Sequence, residues 1–173
     1  MKRFLFYILG LVLFIGCVEE PEPAPPPYTQ EQRDQILDFI HDASLLNEQT
    51  LRGINLIQFT ESISSLAASW DRIRRTDWPD NFHDEEDAIN AMIGAWHLTQ
   101  RYWRDLPDHD SRYHQSRRHI ARFLERYRPE AIERFEGMQQ YRNYYMDDLR
   151  NYYMNLGGEI FEHTQEMIYN TFR

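Results

Sequence analysis

From Tyr28 onward apolar residues recur alternately three and four positions apart, and no stretch keeps a period of two. That spacing gathers side chains on one face of an α-helix, so the pattern predicts an all-α domain. Thr29-Gln30-Glu31-Gln32 reads as a capping box opening a first helix with the seam Ile36, Phe39, Ala43 and Leu46. A second helix is expected over about 49–75, with the seam Leu56, Phe59, Ile63, Leu66, Trp70 and Ile73. Trp78-Pro79-Asp80-Asn81 is a turn, and the acidic run from Asp84 to Asp87 suits the positive end of a third helix's dipole. That helix carries Ala88, Met92, Ala95, Thr99, Tyr102 and Leu106 and stops at Pro107-Asp108.

Asp110 can cap a fourth helix bearing Tyr113, Ile120, Leu124 and Tyr127, and Pro129 suits the first turn of a fifth. The fifth is expected to reach Leu156, with Phe135, Met138, Arg142, Tyr145, Leu149, Tyr152 and Leu156 at heptad positions. Gly157-Gly158 should then break or kink it before a last amphipathic segment, Glu159 to Phe172. Short connections favour antiparallel neighbours. The expectation is an up-and-down bundle of four to five helices with a broken C-terminal helix, and no repeat signature of about 34 residues is present.

The first 27 residues have a different character. Met1-Lys2-Arg3 is positive, and every residue from Phe4 to Val18 is apolar or glycine. That run is a few residues short of the roughly 18–20 that span a bilayer permanently, which favours a cleaved signal. Val18 to Pro27 (VEEPEPAPPP) is acidic and proline-rich, a composition that favours extended polyproline II. At ~3.1 Å per residue it would hold a domain about 30 Å from its point of attachment.

Phe14-Ile15-Gly16-Cys17 resembles the lipobox of bacterial lipoprotein signal peptides, in which a small residue precedes a cysteine that is acylated before signal peptidase II cuts. Phe14 stands where that family prefers leucine. The resemblance implies residues 1–16 as signal, 17–27 as lipidated Cys17 plus spacer, and 28–173 as the folded domain. It also implies two or three acyl chains on Cys17, and two already give stable anchoring. With the usual sorting machinery, Val18 rather than Asp after the cysteine implies the outer membrane.

Cleavage would remove Lys2 and Arg3, taking the net charge from −9 to −11. Nucleic-acid binding is disfavoured, because phosphate recognition needs a basic surface; the charge instead favours solubility or a basic partner. Lys2 is the only lysine, which removes Schiff-base chemistry from the folded part. Cys17 is the only cysteine, so no internal disulfide can form.

Several side-chain groups invite a chemical reading. Glu159, Glu162, His163 and Glu166 are the most metal-like, but helical geometry turns them away from the stripe of Ile160, Thr164, Met167 and Ile168. A solvated acidic face is favoured over a metal site, and no Glu-x-x-His pair of the di-iron kind occurs. His109, His114 and His119 recur every five residues, yet His114 and His119 fall about 140° apart on one helix. His97 lies opposite the Met92, Ala95, Thr99 stripe, which suits exposure better than haem ligation, and no Cys-x-x-Cys-His is present. Ser62, Ser64, Ser65 and Ser69 form no nucleophile elbow.

Tyr141, Arg142, Tyr144, Tyr145, Tyr152 and Tyr153 form the candidate partner surface, since tyrosine and arginine are frequent at binding hot spots. The heptad assigns Tyr145 and Tyr152 to a helix seam, so core and interface both stay open. The sequence thus favours a non-enzymatic, membrane-anchored envelope lipoprotein with no cofactor, acting as a binding or assembly module for another envelope protein. Assembly of a secretion or pilus complex is one form of that role. A metal- or haem-binding envelope protein and an immunity or inhibitor lipoprotein are the alternatives.

Overall fold

A computed structural model describes residues 27–104, 111–140 and 146–172. Among them are six α-helices and no strand: α1 (Gln30–Arg52), α2 (Leu56–Ile73), α3 (His83–Trp103), α4 (Ser111–Tyr127), α5 (Pro129–Gln140) and α6 (Met146–Thr171). A 3-10 turn, Asp80–Phe82, leads into α3. The domain is an all-α bundle, and none of these helices is long and apolar enough to cross a membrane.

The first helix starts where its cap lies in the sequence. Thr29 Oγ1 accepts from the Gln32 amide at 3.1 Å, and the Thr29 amide donates to Gln32 Oε1 at 2.8 Å. This reciprocal pair satisfies two amides that a helix start otherwise leaves open. Ile36, Phe39, Ala43 and Leu46 are all buried, as the seam predicted. At its other end α1 runs past residue 49 to Arg52. Gly53 then takes a left-handed conformation (φ 90°), and Asn55 Oδ1 caps α2 by accepting from the Gln58 amide at 3.0 Å. The boundary between the first two helices therefore lies at 53–55, where a glycine supplies the left-handed turn and an asparagine the next cap.

Helix α3 is the centre of the bundle and packs on α2, α4 and α6. Phe59 meets Trp103 while Trp70 bonds Asn90, so α2 and α3 are antiparallel. Arg126 pairs with Asp84 while Arg101 covers Tyr113, so α3 and α4 are antiparallel as well. Tyr102 stacks on Tyr153 (5.3 Å) while Glu85 bonds Thr171, which sets α6 antiparallel to α3. Because α3 is covered on several sides, its buried residues spread beyond one stripe and include Ala88, Ile89, Ala91, Met92, Ala95, Trp96 and Leu98.

The expected break at Gly157-Gly158 is corrected by α6, which continues through both glycines from Met146 to Thr171. The division of the predicted fifth helix lies earlier, between the end of α5 at Gln140 and the start of α6 at Met146. Gly157 is used for close approach: a Cβ built there would collide with the indole of fully buried Trp96. A helical glycine costs about 1 kcal/mol relative to alanine. Burying an aromatic of roughly 150–250 Å² contributes about 4–6 kcal/mol, so packing outweighs propensity.

Candidate functional site

Of the sequence-predicted positions, Cys17, His109, Tyr141, Arg142, Tyr144 and Tyr145 lie outside the described residues. Tyr152 is half-buried on α6, with the Arg134 guanidinium 5.4 Å from its ring centre. Tyr153 is fully buried, which corrects its assignment to a partner surface. Its hydroxyl accepts from Arg117 Nη1 at 3.2 Å, its ring stacks on Tyr102, and burial pushes its phenol far above the ordinary value despite the neighbouring guanidinium. The buried stripe of α6 is Leu149, Tyr153, Leu156, Ile160, Thr164 and Ile168. The heptad anticipated Leu149 and Leu156 but placed Tyr152 where Tyr153 stands; the stripe expected for the last segment anticipated Ile160, Thr164 and Ile168, and buried Phe161 was in neither.

Arg117 and Arg101 are buried charges that the hydrophobic pattern did not flag. Arg117 also donates to the Tyr113 hydroxyl (3.1 Å) and lies over the Phe135 ring at 4.7 Å; Arg101 lies 5.1 Å from the Tyr113 ring centre. A broad guanidinium can be buried against aromatic faces at less cost than a compact ammonium. The signal was available: Arg117 stands three residues before Ile120, on the core face of α4.

The acidic group on α6 divides. Glu159, Glu162 and Glu166 are exposed, and Glu159 pairs with Arg128 at 3.3 Å. His163 instead is half-buried, its ring centre 4.7 Å from that of Tyr127 and 5.3 Å from that of Phe123. No group of three or more His, Cys, Asp or Glu side chains is placed to hold a metal among the described residues.

The histidines are redistributed by packing between helices. His114 is exposed, whereas His119 and His97 are half-buried and line one groove of about 390 Å³ formed by α2, α3 and α4. Asp71, Asn90 and Arg112 also line it. The backbones of α3 and α4 come close at Gly94, where an added Cβ would lie 3.1 Å from the Ser116 carbonyl oxygen. Burial holds the His119 imidazole below its ordinary value, opposed by the Asp87 charge. Single-helix geometry could not bring His97 and His119 together, because they belong to different helices.

The most exposed large apolar side chains are elsewhere. Leu51 is 80% exposed and Ile57 71%, and Leu45 adds a third on the same hairpin. Leu51 and Ile57 sit where α1 passes into α2, on either side of Gly53, and Leu45 lies about two turns back along α1. Isolated exposed leucines are ordinary, but apolar side chains grouped on one structural feature mark a surface suited to association. Residue 27, where the chain enters the domain, is at the other end of α1.

No family model, no curated protein and no solved structure matches this chain.

Proposed function

We propose that this chain is a lipoprotein of the bacterial envelope, anchored through Cys17, whose helical bundle binds another envelope protein without catalysing a reaction. The binding surface is the end of the α1–α2 hairpin. The observation that carries this is the exposure of Leu51 and Ile57, 80% and 71%, on a hairpin end remote from residue 27. An all-α bundle following a proline-rich spacer supports the arrangement.

The dimensions suit it. Helix α1 has 23 residues and is about 35 Å long. A fully extended spacer in line with it would set an upper limit of about 65 Å between the hairpin end and the membrane. With Val18 after the lipidated cysteine, the membrane would be the outer one in an organism with the usual sorting machinery. The mature net charge of −11 favours a partner with a basic surface around its apolar contact.

In-cell photo-crosslinking tests this, because the mature chain has no lysine for amine-reactive reagents. A photoreactive residue at position 51 or 57 should yield the same heterologous adduct, and one at Glu166 on the exposed face of α6 should not. Free monomer alone at both hairpin positions, or an adduct of twice the protomer mass, would refute the proposal. The anchor has its own test: Cys17→Ser should abolish fatty-acid labelling and signal peptidase II processing.

A further inference from the structure

At the opposite end of α1 from the exposed hairpin, a cleft of about 710 Å³ opens between the first residues of the domain and the last turn of α6. Tyr28 and Phe172 form one wall, their ring centres 4.5 Å apart. Behind them Trp78 stacks on Phe82 at 4.1 Å, so the wall is the outer layer of an aromatic cluster. Thr29, Gln30, Asn81 and Thr171 supply polar lining, and Glu85 lies beneath.

Glu85 is the unusual member. It is only 6% exposed. Oε1 accepts from the Thr171 hydroxyl at 2.5 Å, but Oε2 is sealed from water with no hydrogen-bond partner among the described residues. A buried carboxylate oxygen without a partner has lost its hydration with nothing to replace it. The position of Glu85 in the first turn of α3 offsets part of that through the helix dipole, yet leaves the oxygen itself unsatisfied. Its charge reaches the cleft wall, since burial and then the Glu85 charge push the Tyr28 phenol upward. A carboxylate below and aromatic faces alongside are the chemistry that receives an organic cation.

We propose that this cleft binds an ammonium or guanidinium group carried on an apolar stem. The charge pairs with the Glu85 carboxylate on the cleft floor, the lining side chains shifting to uncover Oε2, and the stem lies along Tyr28 and Phe172. A free polyamine and a lysine or arginine side chain of a bound protein share this chemistry. Arg33 is the only cation among the described lining residues and is exposed. It marks the rim as the place where a ligand cation would meet repulsion and the floor as the place where it would not.

Calorimetric titration of the full chain in detergent micelles tests this with four probes: butylamine, spermidine, Nα-acetyl-lysine methylamide, and butanol as the neutral counterpart of butylamine. The three amines should bind saturably and butanol should not. Tighter binding of spermidine assigns the cleft to a free polyamine, and tighter binding of the lysine derivative assigns it to a protein side chain. Glu85→Gln keeps the shape without the charge and should weaken amine binding at least about tenfold, the scale of a charged hydrogen bond. Glu166→Gln removes a carboxylate from the exposed face of α6, outside the cleft lining, and should stay within about threefold of the parent, about 0.65 kcal/mol. Arg33→Gln should hold or raise the affinity. No saturable amine binding, equal binding of butanol, undiminished binding in a folded Glu85→Gln chain, or a loss of affinity in Arg33→Gln would overturn the proposal.

Discussion

The seam between α3 and α6 and the turn between α1 and α2 each contain an informative glycine, and they use it in opposite ways. At Gly157 the missing side chain lets one helix press against the Trp96 indole of another. At Gly53 nothing lies within 4 Å of where a Cβ would stand, and the residue is there for its φ of 90°. The first glycine removes apolar surface from water. The second terminates a helix so that Leu51 and Ile57 stand beside the turn in solvent. Stability therefore concentrates at the α3–α6 seam, and the hairpin end leaves its apolar side chains in solvent, as the proposed binding surface requires.

Substitutions can break this contrast, beginning with the largest effect. Trp96→Ala should cost about 3–5 kcal/mol in a denaturant melt, because it empties a fully enclosed site. Gly157→Val should cost about 1–3 kcal/mol through overpacking, although the helix would otherwise welcome a side chain. Gly53→Ala should cost on the order of 1 kcal/mol, from forcing a side chain into the left-handed region rather than from a clash. Gly137→Ala is the control: nothing lies within 4 Å of its added Cβ, so gain in helix propensity should stabilise the chain by roughly 0.5–1 kcal/mol. If Gly157→Val were as benign as Gly137→Ala, the tight α3–α6 seam would be wrong.

The pH dependence sharpens the same contrast, since His119 and Tyr153 both belong to helices packed on α3. His119 has a lowered folded value, so its contribution is present above the ordinary 6.5 and is lost as pH falls through the lowered one. Tyr153 has a raised folded value, so its contribution is present below the ordinary 10.0 and is lost as pH rises through the raised one. His119→Gln should flatten the acid limb of a stability profile and Tyr153→Phe the alkaline limb. An unchanged alkaline limb in Tyr153→Phe would mean that this phenol is not buried.

Much of the fold was written in local pattern. The Thr29 capping box, the α1 seam, the α2 seam from Phe59 to Ile73 and the start of α5 at Pro129 all stand where periodicity and cap chemistry placed them. Arg52-Gly53-Ile54-Asn55 carried both a stop and a start signal that the apolar spacing alone overrode. Gly157 could not be read, because the same lack of a Cβ serves a break and a close approach, and only the facing Trp96 decides between them. Tyr153 was missed by one position because Tyr152 and Tyr153, three and four residues after Leu149, both keep helical spacing, and only the packing of α6 shows that the buried face runs through Tyr153, Leu156 and Ile160. Glu85 is in the acidic run expected at the start of α3, but that pattern explains a helix start and says nothing of Thr171 or the aromatic wall above it.

The decisive measurement joins stability and association in one double variant, Leu51→Asp with Ile57→Asp. Both residues are exposed, so the thermal midpoint should stay within about 1–2 °C of the parent, corresponding to roughly 0.5 kcal/mol. A photoreactive residue at Leu45, on the same hairpin, should give a heterologous adduct in cells with the parent surface and lose it with the two aspartates. An adduct that persists in the double variant, or a midpoint that falls as far as in Trp96→Ala, would contradict the assignment of this end as the binding surface.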